Sequence, residues 1–154
     1  MATEIITYEG AGNIRFGMAR DDVRRLFREA AQPFRRGGIV ETDHFRISGI
    51  LVEYDEGICN AVELLAKAGP HFRDKPIVGV PYCEIAAWFR EIDPDIEEDG
   101  AGLISKLHGV ALYAPSAKKD PGAPVESAAA FARGYYDHPH PVIPLPGKRD
   151  TFGA

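Results

Sequence analysis

Gly17-Met18-Ala19-Arg20-Asp21-Asp22-Val23-Arg24-Arg25-Leu26-Phe27-Arg28-Glu29 and Gly79-Val80-Pro81-Tyr82-Cys83-Glu84-Ile85-Ala86-Ala87-Trp88-Phe89-Arg90-Glu91 read as two versions of one pattern. In the first, Val23, Leu26, Phe27, Ala30 and Ala31 recur at the spacing of one helical face, which predicts an amphipathic helix over 20–32. Asp21 and Asp22 fall in its first turn, where the helix dipole favours negative charge, and Pro33 with Gly37 and Gly38 would stop it. In the second, Ile85, Trp88, Phe89 and Ile92 predict a helix over 82–92, opened by Pro81 and closed before Pro94. The shared Phe-Arg-Glu and the constant offset go beyond what helix periodicity alone requires, so the stretch is read as a duplication.

Working outward, 45–54 and 103–114 read as strands, with Gly49-Ile50-Leu51-Val52 answering Gly109-Val110-Ala111-Leu112. Asp55-Glu56-Gly57 is a compact turn, and 115–124 a longer polar loop. Return strands follow over 58–66 and 125–133. Short strands are expected over 4–8 and 13–16, on either side of a Gly10-Ala11-Gly12 turn. The fold expected is therefore α+β: two tandem helix-strand-strand repeats, about 13–68 and 76–137, with the helices packed on one face of a largely antiparallel sheet. Pro139, Pro141, Pro144 and Pro146 mark 138–154 as an extended or disordered tail outside the single compact domain 1–137.

Ile14-Arg15-Phe16-Gly17-Met18 entering a helix with Asp22-Val23, followed by two strands and a second copy, resembles the tandem helix-strand-strand folds of the β-lactamase-inhibitor-protein type. A related unit occurs in small outer-membrane lipoproteins of the SmpA/OmlA type. The resemblance spans roughly 13–136 and implies a binder or inhibitor that grips another protein on the exposed face of a sheet. The chain departs from it in having no secretory pattern in 1–16, no lipid-attachment cysteine near the N-terminus and no cysteine pair within either half. An intracellular inhibitor or immunity protein is the class that remains.

Composition bounds the partners. The 154 residues carry 18 Lys plus Arg against 23 Asp plus Glu, a net charge of −5, which disfavours a phosphate-tracking surface and hence nucleic acid. No apolar run approaches the roughly 18 residues of a membrane span, and a cytoplasmic location is expected. Cys59 and Cys83 are in no metal-ligand spacing and are expected as buried free thiols, a disulfide between them remaining the alternative.

Strand alternation then proposes a docking face. If Ile50, Val52, Tyr54, Val62, Leu64, Val110 and Leu112 point at the helices, Leu51, Glu53, Glu63, Leu65, Ala111 and Tyr113 point away, joined by Glu126. Leu51, Glu53, Glu63, Leu65, Tyr113 and Glu126 are the expected partner-binding residues, an apolar centre with acidic surroundings suited to a basic protein such as a toxin or enzyme. The bland alternative is solvated glutamates beside ordinary strand residues. No catalytic residue, metal or cofactor is expected: Gly10-Ala11-Gly12 lacks the third glycine and lysine of a phosphate loop, and Glu97-Glu98-Asp99 with Asp93 and Asp95 lacks the alternating ligands of a calcium loop. The enzyme alternative is a metal-dependent hydrolase at Asp137, His138 and His140, which would need a third ligand from His44, His71 or His108. A structural module within a larger assembly is the third reading. Trp88, on the apolar stripe, is expected in the core.

Overall fold

The computed structural model describes residues 2–137. The tail 138–154, with His138 and His140, lies outside the described residues. Strands dominate. In chain order they are β1 (Thr3–Ile6), β2 (Gly10–Ala11), β3 (Ile14–Arg15), helix α1 (Arg20–Arg24), β4 (Gln32–Arg36), β5 (Val40–Phe45), β6 (Ile50–Asp55) and β7 (Ile58–Leu65). Then come β8 (Pro70–Phe72), β9 (Lys75–Pro76), helix α2 (Tyr82–Ile92), β10 (Glu97–Asp99), β11 (Gly102–Ser105), β12 (Val110–Tyr113) and β13 (Ser127–Phe131). The large sheet has eight antiparallel strands in the order β10-β11-β12-β13-β7-β6-β5-β4, and a second has five in the order β3-β2-β1-β8-β9 with β1 and β8 parallel.

Two tandem helix-strand-strand repeats therefore do not describe the chain: the described residues are mostly β, with sheets of eight and five strands and two α-helices among them, one of only five residues. The first reason lies in turns hidden inside apparent strands. The segment 45–54 breaks at Arg46-Ile47-Ser48-Gly49, where Gly49 at φ +72° donates its N–H to Phe45 O at 2.9 Å. The segment 103–114 breaks in the same way at Lys106-Leu107-His108-Gly109, where Gly109 at φ +70° donates to Ser105 O at 2.8 Å. Ile47 and Leu107 look like strand residues but sit on the turn tips, 78% and 58% exposed.

The second reason is that α1 stops at Arg24 instead of running to Gln32. After it, Leu26 N–H and Phe27 N–H return only to Val23 O and Arg24 O, the tighter bonding of a helix that is ending. Glu29, a good helix former, instead accepts hydrogen bonds from the Ile47 and Ser48 N–H groups at 2.8 Å each and from the Ser48 hydroxyl at 2.6 Å. A tertiary contact has overridden local propensity. Gln32 and Pro33 then enter β4, an edge strand, where a residue without an N–H is tolerated. Of the apolar residues expected on this helical face, Val23 is fully buried, Phe27 half-buried and stacked on Phe45 at 3.7 Å, and Leu26 exposed. The α2 helix forms as its periodicity predicts, burying Ile85 and Phe89 and half-burying Trp88.

The two glycine-led segments do hold equivalent places. Gly17 N–H donates to Cys59 O and Cys59 N–H to Met18 O, both at 2.9 Å, while Gly79 N–H donates to Val125 O and Val125 N–H to Val80 O, also at 2.9 Å. Both residues take positive φ, 96° and 78°, which glycine adopts without the strain a Cβ would bring. One face of the large sheet, through Val52, Val62, Leu64, Val110 and Leu112, shares a core with Val23 of α1, Ile85 and Phe89 of α2, and Ile5, Ile14 and Phe72 near the small sheet. The inward set expected from alternation is this set.

An ion network fastens α1 to that face. Asp43 of β5 has no exposed side-chain surface, and it accepts hydrogen bonds from Arg20 at 2.7 Å, from two nitrogens of Arg24 at 2.8 Å each and from the Tyr54 hydroxyl at 3.0 Å. Burial alone would raise the Asp43 carboxyl, but the bonds from Arg24, Arg20 and Tyr54 outweigh it and bring it down from 3.8 to about 2. A depressed carboxyl stabilises the fold above its unfolded value and loses that contribution as pH falls. The loss from Asp43 should thus run from roughly pH 4 down through about 2. Asp43→Ala should cost about 3 kcal/mol at neutral pH, the low end for a broken buried pair because both arginines keep some solvent, and should flatten the acid limb of a urea-denaturation series. An unchanged acid limb in the variant would contradict this assignment.

Candidate functional site

The other face of the large sheet is built by register. Residues directly opposite one another on antiparallel strands share a face, which gives three rows. One runs Phe34, Thr42, Glu53, Ala61, Phe131. The next runs Gln32, His44, Leu51, Glu63, Ala129, Ala111, Ile104, Glu97. The last contains Leu65, Ser127, Tyr113 and Gly102. Leu51, Glu53, Glu63, Leu65 and Tyr113 are thus brought to one face, away from the helices. Glu126 is exposed just before β13, its N–H donating to Tyr113 O at 2.8 Å.

The acidic character of this face differs from the rim that the sequence suggests. Glu53 and Glu63 are 2% and 8% exposed, and both bind one nitrogen of Arg36, at 2.9 and 3.0 Å. Arg36 is 7% exposed. The Ser127 hydroxyl donates to Glu63 at 2.9 Å and the Tyr135 hydroxyl to Glu53. Arg36 Nε has no hydrogen-bond partner among the described residues. Leu51 and Tyr113 are buried as well, so the accessible parts of the face are exposed Gln32 and Glu97 and half-buried Phe34, His44 and Leu65, while Glu126 is exposed before β13, next to Ser127 in sequence, with no strand partner that sets it on this face. Burial, with Arg46 and Arg36 nearby, lowers the His44 imidazole from its usual range and favours its neutral form.

Arg36 went unread in the sequence, though alternation puts it on the same side of β4 as Phe34. Its role follows only from the register: Leu51 opposite Glu63 and Glu53 opposite Ala61 place two carboxylates on neighbouring strands, and a buried pair of that kind favours a cation between them.

The other candidates separate. His71 Nδ1 lies 2.7 Å from Gly69 O, and His108 Nε2 lies 3.0 Å from Ile92 O, each beside its own backbone carbonyl. Among the described residues no three His, Cys, Asp or Glu side chains gather as a metal site would require. Asp137 is exposed, and the histidines expected beside it lie outside the described residues. Glu97-Glu98-Asp99 form an edge strand rather than a loop, with Glu98 held by Arg90 at 2.8 Å and by the Tyr82 hydroxyl at 3.0 Å. Asp93 is buried and accepts from the Ser105 hydroxyl at 2.8 Å. Cys59 is a buried free thiol whose pKa burial pushes up to about 12, whereas Cys83 is free and exposed on α2, contrary to the expected burial of both. Among the described residues no helix is long and apolar enough to cross a membrane.

No protein-family model, curated protein or solved structure matches this chain.

Proposed function

We propose that the protein is a non-catalytic binding module, an inhibitor or immunity protein in type, that docks a basic protein on the sheet face carrying Phe34, His44 and Leu65, with Glu126, exposed just before β13, as a further contact. The observation behind the proposal is the buried Arg36, Glu53, Glu63 and Ser127 network beneath that face. It fixes the side chains of β4, β6, β7 and β13 relative to one another before any partner arrives. A surface ordered in advance loses less conformational freedom on association, and an aromatic, imidazole and aliphatic patch beside a carboxylate suits a partner with an apolar anchor ringed by lysine or arginine. In this reading Leu51, Glu53, Glu63 and Tyr113 position the surface, and Leu65 and Glu126 touch the partner. The net charge of −5 supports the same reading.

Affinity capture from an extract of the source organism, with wild-type protein and a Leu65→Arg/Glu126→Lys variant, tests it. A basic protein held by the wild type, released as salt rises and lost from the folded variant is the expected result. Equal capture by both proteins would sink the assignment of this face.

A further inference from the structure

At the end of the same sheet, beyond β13, a cavity of about 310 Å³ is lined by Tyr8, Lys106, Phe131, Arg133, Tyr135 and Tyr136, among others. Its walls are aromatic. Tyr8 meets Phe131 edge-on at 5.9 Å, and Phe131 meets Tyr136 edge-on at 4.9 Å. The seat of Tyr8 is built into the backbone: the residue takes φ +57°, its hydroxyl donates to Lys106 O, and Gly109 makes room for the ring. A Cβ at Gly109 would stand 3.2 Å from Tyr8 Cε1.

Charge at the mouth decides what the cavity suits. The Arg133 guanidinium stacks over the Tyr8 ring at 4.4 Å and, among the described residues, pairs with no carboxylate. A guanidinium held beside a ring keeps N–H donors that can form two parallel bonds to one carboxylate. Lys106 adds a second positive charge, partly offset by Glu97 at 3.2 Å, and Asp137 is the one anion in the lining. With Lys106 offset by Glu97, the preference rests on Arg133, which has no carboxylate partner among the described residues and disfavours the cationic guest that aromatic walls alone would accept. The volume sits at the small end of ligand pockets, enough for about one ring and its substituent.

We propose that this cavity binds a small aromatic carboxylate, its ring against Tyr8, Phe131 and Tyr136 and its carboxylate on Arg133 with Lys106 in support. The site lies at the Phe131 end of the same sheet face, and its chemistry does not depend on the protein-binding reading. Titration of the full chain with phenylacetate, followed by amide chemical shifts, should give saturable shifts at residues 8, 106–109 and 131–136. Benzylamine, with the ring but the opposite charge, should give none there, and acetate should bind far more weakly than phenylacetate. Arg133→Gln, at an exposed position, should weaken phenylacetate about tenfold, the value of a charge-assisted hydrogen bond to the ligand. Absence of saturable shifts with phenylacetate, equal binding of benzylamine, or unchanged affinity in Arg133→Gln would each overturn the proposal.

Discussion

Arg36→Met should destabilise the fold by roughly 3–5 kcal/mol, because it strands two carboxylates inside the sheet face with no cation between them. Glu53 and Glu63 are 2% and 8% exposed and both lean on the same guanidinium nitrogen, so neither can turn to water without opening the sheet. The cost belongs to the stranded charges more than to the lost attraction. Arg36→Met combined with Glu53→Gln and Glu63→Gln should therefore recover most of the loss, the glutamines still accepting from Tyr135 and Ser127. Chemical denaturation of the two variants checks both halves of the expectation. An Arg36→Met midpoint indistinguishable from wild type would mean that the network does not hold the face together.

Phe89→Ala should cost a comparable ~3–5 kcal/mol, the range for deleting a fully buried aromatic side chain. Phe89 is 0% exposed on α2, lies parallel to Phe72 of β8 at 6.0 Å and meets Trp88 edge-on at 5.1 Å, so its loss opens a void where helix, small sheet and large sheet converge. Leu26→Ala supplies the contrast. It occupies the matching helical position to Trp88 in the sequence, but it is 42% exposed just after α1, and its truncation should stay within ~0.5 kcal/mol. Equal losses at Phe89 and Leu26 would mean that α1 continues as its apolar spacing suggests.

That contrast also marks how far the sequence could be read. The Ile85, Trp88, Phe89 stripe and the strand alternation around Val52, Val62 and Leu112 carry their own periodicity, and both the length of α2 and the choice of sheet face follow from it. Five of the expected docking residues, Leu51, Glu53, Glu63, Leu65 and Tyr113, came to one face by the same rule. Two kinds of information were missing from the local pattern. Ile47 and Leu107, apolar residues on turn tips, disguised one turn near the start of 45–54 and another inside 103–114, so that β5 was missed and β11 and β12 read as one strand. Glu29 and the Asp43 network act across the chain: the first draws 28–31 out of the helix that its residues favour, and the second fastens the one turn of α1 that remains. Whether a glutamate on a strand is solvated or buried likewise depends on a residue elsewhere, here Arg36, and no spacing within β6 or β7 reveals it.

Docking on the sheet face is tested most directly by hydroxyl-radical footprinting of the protein alone and in complex with its captured partner. Phe34, His44 and Leu65 lie half-buried on the proposed face and oxidise at side-chain atoms, while Trp88, half-buried beside Lys75 on the opposite side of the sheet, serves as the internal control. Protection of Phe34, His44 and Leu65 with Trp88 unchanged is the predicted result. Protection of Trp88 with those three side chains oxidised as in the free protein would place the partner on the helix side and contradict the proposed function.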